Sequence, residues 1–380
     1  MNRLGANAPL RLLVCLSHLP WNLVFQRPQH LLTRAARDYL VLYVEEPIEA
    51  DVGASILASR RDPSGVEIAT PLLPSTTADR ASAVRRLLDE RLRGIGQDEL
   101  IAWYYTPMAL DYAGHLEPDL CIYDCMDELA AFKGAPSGLI EREDRLFAAA
   151  DLVFVGGYSL YEAKRHRHAR TFAFPSSVEA EHFRQARRNL PDPADQATIP
   201  RPRIGFFGVI DERMDLALVA RAAEACPEIQ FVFLGPVVKI DRGDLPRGSN
   251  LHWLGPKDYH DLPAYLSGWD AGWMPFALNA ATRFISPTKT PEFLAAGLPL
   301  VSTAVTDVVR GYGETGMVAI ADGSNVAEKL RASLVHPGPA WEARVKAHLA
   351  WTSWDRTWSE MDGHIRLLRE QRDPLKQKGA

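Results

Sequence analysis

Residues 286 to 303 read SPTKTPEFLAAGLPLVST: a hydroxyl and a proline, a lysine, a carboxylate, and an apolar run closed by Gly297 and Pro299. Ser286 followed by Pro287 is a helix start, because a hydroxyl N-cap satisfies a first-turn amide and proline lacks an N–H that has no partner there. In that register Pro291 falls inside the helix and removes a donor. With Thr290 as the cap, Pro291 becomes the first helical residue and Ser286 to Lys289 the loop before it. Either register stops at Gly297 and hands over to the apolar strand Leu300 to Ser302. A helix running straight into an apolar strand belongs to an α/β domain.

The same stretch is chemically suited to one ligand. Free amides and the macrodipole make a helix start an anion site, and Lys289 adds a mobile charge there. Thr288 and Thr290 flank that lysine. Glu292 lies one turn on, on the same face, where its carboxylate suits two ribose hydroxyls. A nucleoside diphosphate meets all these groups at once.

Further upstream, RIGFFGV (203 to 209) is an apolar strand that ends in Gly208 and leads through Asp211, Glu212 and Arg213 into a helical pattern. It reads as a phosphate-facing turn, and by itself Arg213 is equally a cation that caps or salts a surface turn. AGWMPFALNAATRF (271 to 284) runs from a buried strand into a polar loop whose Asn279, Thr282 and Arg283 are candidates for the sugar or phosphates.

Apolar strands alternate with helical patterns along the whole chain. LLVCLS, LVLYVEE, LIAWYYT, LCIYDC and DLVFVGG come first; RIGFFGV, IQFVFLG, LHWLG, DAGWMPF and LPLVST follow. Unbroken apolar strands in βαβ alternation predict parallel sheets covered on both faces, here two Rossmann-like, doubly wound domains with a cleft between them. The Pro-rich, aperiodic stretch 184–202 is the expected linker between residues 1–183 and 203–350.

The pattern P-x-K-x-x-E-F-L-A-A-G-x-P-L-V-S-T resembles the donor motif of bacterial GT-B glycosyltransferases related to the retaining family-4 group, especially those of cell-surface polysaccharide biosynthesis. The resemblance implies a nucleotide-sugar donor, most often a UDP-sugar, with Glu292 on the ribose and Lys289 and Arg213 on the diphosphate. It also implies that residues 351–380 form a helix packing back on the first domain. One position departs from the pattern: Phe284 stands where those enzymes carry a second glutamate, the one that contacts the transferred sugar. Sugar identity and stereochemical course therefore stay open.

In such a fold the first domain holds the acceptor. HLPWNLVFQRPQHLL (18 to 32) places His18, Arg27, Gln29 and His30 after the first strand, without a glycine-rich loop. In CIYDCMDELAAFKGAP (121 to 136), Asp124 ends a strand and Asp127 follows. A carboxylate at a strand end can take a proton from an acceptor hydroxyl, so Asp127 is the candidate base and Asp124 its orienting partner. Capping is the alternative role for Asp124. Lys289 and Arg213 would stabilise the departing diphosphate. With no D-x-D triplet in the chain, these cations take the place of a metal, and no cofactor is expected beyond the donor substrate.

The 380 residues carry a net charge of −5, 47% hydrophobic and 24% charged residues, with both signs spread through both halves. That composition excludes electrostatic steering to nucleic acid, and no apolar run reaches the ~20 residues of a membrane helix. A cytoplasmic enzyme is expected. The run Lys164, Arg165, His166, Arg167, His168 and Arg170 either touches a membrane surface peripherally or is a solvated helix end. The four cysteines form no C-x-x-C pair and read as buried thiols, and Cys121, Cys125 and Asp124 lack zinc spacing. Two other functions fit the same ligand: a sugar-nucleotide epimerase, and a sugar-binding protein without chemistry.

Overall fold

A computed structural model describes residues 10–372. Nine strands form the first sheet: β1 (Arg11–Leu16), β2 (Leu40–Val44), β3 (Ile48–Glu49), β4 (Ile56–Arg61), β5 (Glu67–Leu73), β6 (Glu99–Tyr104), β7 (Leu120–Cys125), β8 (Leu152–Val155) and β9 (Thr171–Ala173). Six more form the second: β10 (Arg203–Phe207), β11 (Gln230–Leu234), β12 (Leu251–Gly255), β13 (Ala271–Met274), β14 (Leu300–Ser302) and β15 (Ala319–Ile320). The orders are β3-β5-β2-β1-β6-β7-β8-β9 and β12-β11-β10-β13-β14-β15. Only β4, paired to β5, is antiparallel among these pairings.

Alternation along β1 shows why its sequence is apolar from Leu12 onward. Leu12, Val14 and Leu16 join one buried cluster and Leu13 and Cys15 another, so both faces are covered. The order reverses at the β1–β6 and β10–β13 neighbours. Such switch points open a crevice beyond the strand ends, where α/β sheets bind ligands.

The covering helix on the β1 Leu13 face comes from the far end of the chain. Helix Trp354–Arg372 sends Trp354, Trp358, Met361, Ile365 and Leu368 into the cluster with Trp103 and Phe154. It is also clamped by ion pairs, Arg369 to Glu99 and Arg372 to Asp151. Trp354 is fully buried and stacks on His30 with ring centroids 4.6 Å apart and planes 9° apart. Trp354→Ala should therefore lower unfolding free energy by about 3–5 kcal/mol, read from a denaturant midpoint. A change below about 1 kcal/mol would mean that this helix end contributes little to the fold.

The stretch 184–202 does not hang between the halves. Ala186 and Ile199 join the second core, Gln196 accepts from Trp269 Nε1 at 2.8 Å, and Asp192 pairs with Arg203 at 2.7 Å. All four cysteines are free and buried. No helix among the described residues is long and apolar enough to cross a membrane.

Candidate active site

The decisive helix starts between the two registers read from sequence. It spans Lys289–Ala296, with Thr288 preceding it and the Glu292 amide donating to the Thr288 carbonyl at 3.4 Å. Pro291 thus sits in the first turn, where a missing N–H leaves nothing unpaired, so neither Ser286 nor Thr290 is the cap. Gly297 ends the helix at φ +82°, as a left-handed stop requires.

Lys289 and Glu292 meet, but with each other. The ammonium lies 2.9 Å from the Glu292 carboxylate and 4.8 Å from the Phe207 ring centroid. Glu292 is 1% exposed, and burial pushes its carboxyl up against the pull of Lys289. It lies beneath the lysine and does not line the cleft cavities. Thr290 is also turned inward, its hydroxyl 3.7 Å from Met274 Sδ. Thr288 and Lys289 do line the cleft, together with Gly208, whose φ of +143° ends β10 and whose added Cβ would sit 3.4 Å from Lys289 Cε.

Arg213 reaches the same cavity, its guanidinium fixed by Asp211 at 2.7 to 3.1 Å. Asn279 braces a loop instead of facing the cleft, donating to the Glu212 carbonyl at 3.0 Å and accepting from the Thr282 amide at 3.1 Å. Thr282 is buried in that turn. Arg283 is exposed and lies over Phe284, 5.0 Å from its ring centroid. Phe284 itself packs against the first-sheet core, across the cleft from its own sheet.

The first half supplies the facing wall. Helix Arg27–Ala35 starts at the β1–β6 switch point, with the Gln29 side chain accepting from the Gln26 amide at 3.0 Å. Arg27 is 3% exposed and Asp124 0%, and the guanidinium grips the carboxylate from Nε at 3.1 Å and Nη2 at 2.9 Å. Arg27 Nη1 donates to the Phe174 carbonyl at 2.7 Å. Asp124 therefore orients an arginine, and it neither caps a helix nor contacts Asp127 by any of these bonds. Asp127 lies on a loop, not on a helical turn. Burial pushes its carboxyl up to about 6, against Arg213 and Arg27.

A cavity of about 140 Å³ joins these groups: Arg27, Asp127 and Ser176 from one half, Gly208, Arg213 and Lys289 from the other. A second, of about 370 Å³, continues from Met126, Asp127, Val209 and Arg213 towards His18 and Thr106 at the first switch point. The halves touch directly where Asp307 accepts from the Ser159 amide at 3.0 Å and the Ser176 amide donates to Ser286 Oγ at 3.3 Å.

Among the described residues, no three His, Cys, Asp or Glu side chains are grouped to hold a metal. In the basic run, Lys164 is consumed by Glu143 and Glu128 and Arg167 by Glu143 and Asp144, whereas Arg165 and Arg170 are exposed. Sequence reading overlooked Phe132 and Lys239, whose cation–π contact of 4.8 Å crosses the cleft. The positive φ of Lys239, +63°, is a feature no sequence pattern signals.

No family model matches the chain. TuaH of Bacillus subtilis (strain 168), a proposed teichuronic acid biosynthesis glycosyltransferase, is 28% identical over 237 residues, covering 57% of this chain and 59% of that protein. Sucrose-phosphate synthase from Thermosynechococcus elongatus superposes with TM-score 0.69 at 14% identity, over 95% of this chain and 100% of that one. A UDP-forming α,α-trehalose-phosphate synthase from Burkholderia xenovorans, in complex with glucose-6-phosphate, gives 0.69 at 14%, over 94% and 100%. The E. coli trehalose-6-phosphate structure bound with UDP-2-fluoro glucose gives 0.67 at 15%, over 93% and 98%. At these identities the likeness is one of fold, and that fold is GT-B: two Rossmann-like α/β halves.

Proposed function

We propose that the chain is a glycosyltransferase that moves a sugar from a nucleotide-sugar donor, a UDP-sugar first among them, to a hydroxyl of a glycan, lipid-linked or small-molecule acceptor. The observation that carries this reading is the single cavity that gathers Lys289, Arg213, Gly208 and a helix start from one half and Asp127 and Arg27 from the other. The kinship in sequence with TuaH and in fold with the UDP-forming synthase supports it.

In this reading the diphosphate takes Lys289 and Arg213, and Lys289 lets go of Glu292, which turns to the ribose. The acceptor oxygen bonds to the anomeric carbon as the bond from that carbon to the diphosphate breaks. The hydroxyl proton passes to the departing diphosphate oxygen on the same face, so configuration is retained and no protein nucleophile is needed. Asp127 orients the acceptor by accepting a hydrogen bond from a second hydroxyl beside the attacking one. Preorganised cations stabilise the leaving charge in place of a metal.

The test is calorimetric titration with UDP-, GDP- and dTDP-sugars in EDTA, on the native chain and on Lys289→Ala and Glu292→Ala. One donor should bind, and each substitution should weaken it by about tenfold to a hundredfold, the value of a charge-assisted hydrogen bond. With acceptor added, the product should carry the donor's anomeric configuration by NMR. Binding that ignores both residues, or none at all, removes the reading. Donor turnover without an acceptor would favour an epimerase.

A further inference from the structure

The wider cavity shows which acceptors fit, an inference that rests on the glycosyltransferase reading. Its about 370 Å³ lies within the range of small-molecule sites and is continuous with the donor cavity through Met126, Asp127, Val209 and Arg213. A sugar phosphate would need uncommitted cations. Arg213 is taken by the donor diphosphate in that reading, and Lys239 lies over Phe132 and 3.8 Å from Glu212. The remaining lining lysine, Lys133, is exposed, so its cation is hydrated and screened by solvent.

The walls are apolar instead. Met108, Leu129, Phe132 and Leu139 come from the first half and Val209 and Val238 from the second. Phe132 is held in place by two cations, 5.4 Å from the Arg213 guanidinium and 4.8 Å from the Lys239 ammonium. Two of the lining polar groups are placed to take a hydroxyl. Asp127 sits at the junction with the donor cavity, and His18 has a buried Nδ1 without a hydrogen-bond partner. Burial, with Lys239 nearby, holds the His18 ring at about 4, so it is neutral at pH 7 and can both donate and accept.

We infer that the acceptor presents hydroxyls to Asp127 and His18 while an apolar aglycone, aliphatic or aromatic, packs against Met108, Leu129, Phe132 and Leu139. A phosphorylated sugar is the ligand this wall disfavours.

The test measures binding of methyl, phenyl and octyl β-D-glucoside and of glucose 6-phosphate in the presence of saturating UDP, below the micellar concentration of the octyl compound. Octyl glucoside should bind at least tenfold more tightly than methyl glucoside, the gain from burying about two methylenes. Phenyl glucoside matching or exceeding octyl identifies an aromatic aglycone; the reverse order identifies a lipid. Leu129→Asn should remove the octyl advantage and leave UDP affinity unchanged. Equal binding of methyl and octyl glucosides, tightest binding of glucose 6-phosphate, no glucoside binding, or an octyl advantage untouched in Leu129→Asn overturns the inference. UDP affinity, read in the same titrations, reports separately on the donor reading.

Discussion

Asp127→Asn is expected to lower kcat about a hundredfold, leave donor affinity within about twofold, and raise thermal stability above pH 6. The two effects share one cause. Burial pushes the Asp127 carboxyl from 3.8 to about 6, against Arg213 and Arg27. Between those values the folded chain keeps a proton that the unfolded chain has released, so stability falls as pH climbs through that window, and the penalty is complete above about 6. Asparagine carries no charge to desolvate and removes the dependence, a gain on the order of 1 kcal/mol once solvent at this half-buried loop is allowed for. The same ionisation gives the hydroxyl beside the attacking one its hydrogen-bond acceptor, so kcat/KM of the native enzyme should rise with pH through a limb near 6. That limb should vanish in Asp127→Asn. A variant that keeps full kcat, or keeps the limb, removes Asp127 from the chemistry, whatever its stability does.

The sequence was readable where burial acts on both faces of an element. β1, β6 and β7 are apolar apart from Arg11, Glu99 and Asp124 because alternate residues enter different cores, and β10 and β11 apart from Arg203 and Gln230 because both their faces are covered within one core; such runs stand out without any partner being known. β4 was not readable: its ILASRR is largely exposed, and it is a strand only because β5 lies beside it. The start of helix Lys289–Ala296 was displaced for a related reason. Both Ser286 and Thr290 look like caps locally, but the backbone oxygen of Ser286 is engaged by Ser176 of the other half, and Thr290 is drawn into the core beside Met274. Lys289 and Glu292 could be paired by their spacing of three. Arg27 and Asp124, 97 residues apart, could not, because only the parallel order β1-β6-β7 brings the strand ends together. Nor could Phe132 and Lys239, which meet across the cleft between the two sheets.

That long-range pair makes the second large effect. Arg27→Met leaves the Asp124 carboxylate buried with its guanidinium partner gone, and such losses cost about 3–5 kcal/mol, a large share of a typical domain's stability. The expected result is a chain that unfolds at a markedly lower denaturant concentration or collects as aggregate. Arg27→Met combined with Asp124→Leu removes both charges, and the filled apolar volume should recover most of the loss, to within about 1–2 kcal/mol of the native chain. The double variant then separates packing from function. Arg27 lines the donor cavity as well as gripping Asp124. If its cation faces the donor diphosphate from the first half, the recovered variant should bind UDP at least tenfold more weakly than the native chain. If it binds UDP normally, the pair only fixes the helix at the switch point, and the cations that hold the diphosphate come from the second half alone. A double variant no more stable than Arg27→Met would instead show that the bond from Arg27 to the Phe174 carbonyl, and not the ion pair, holds this end of the first sheet.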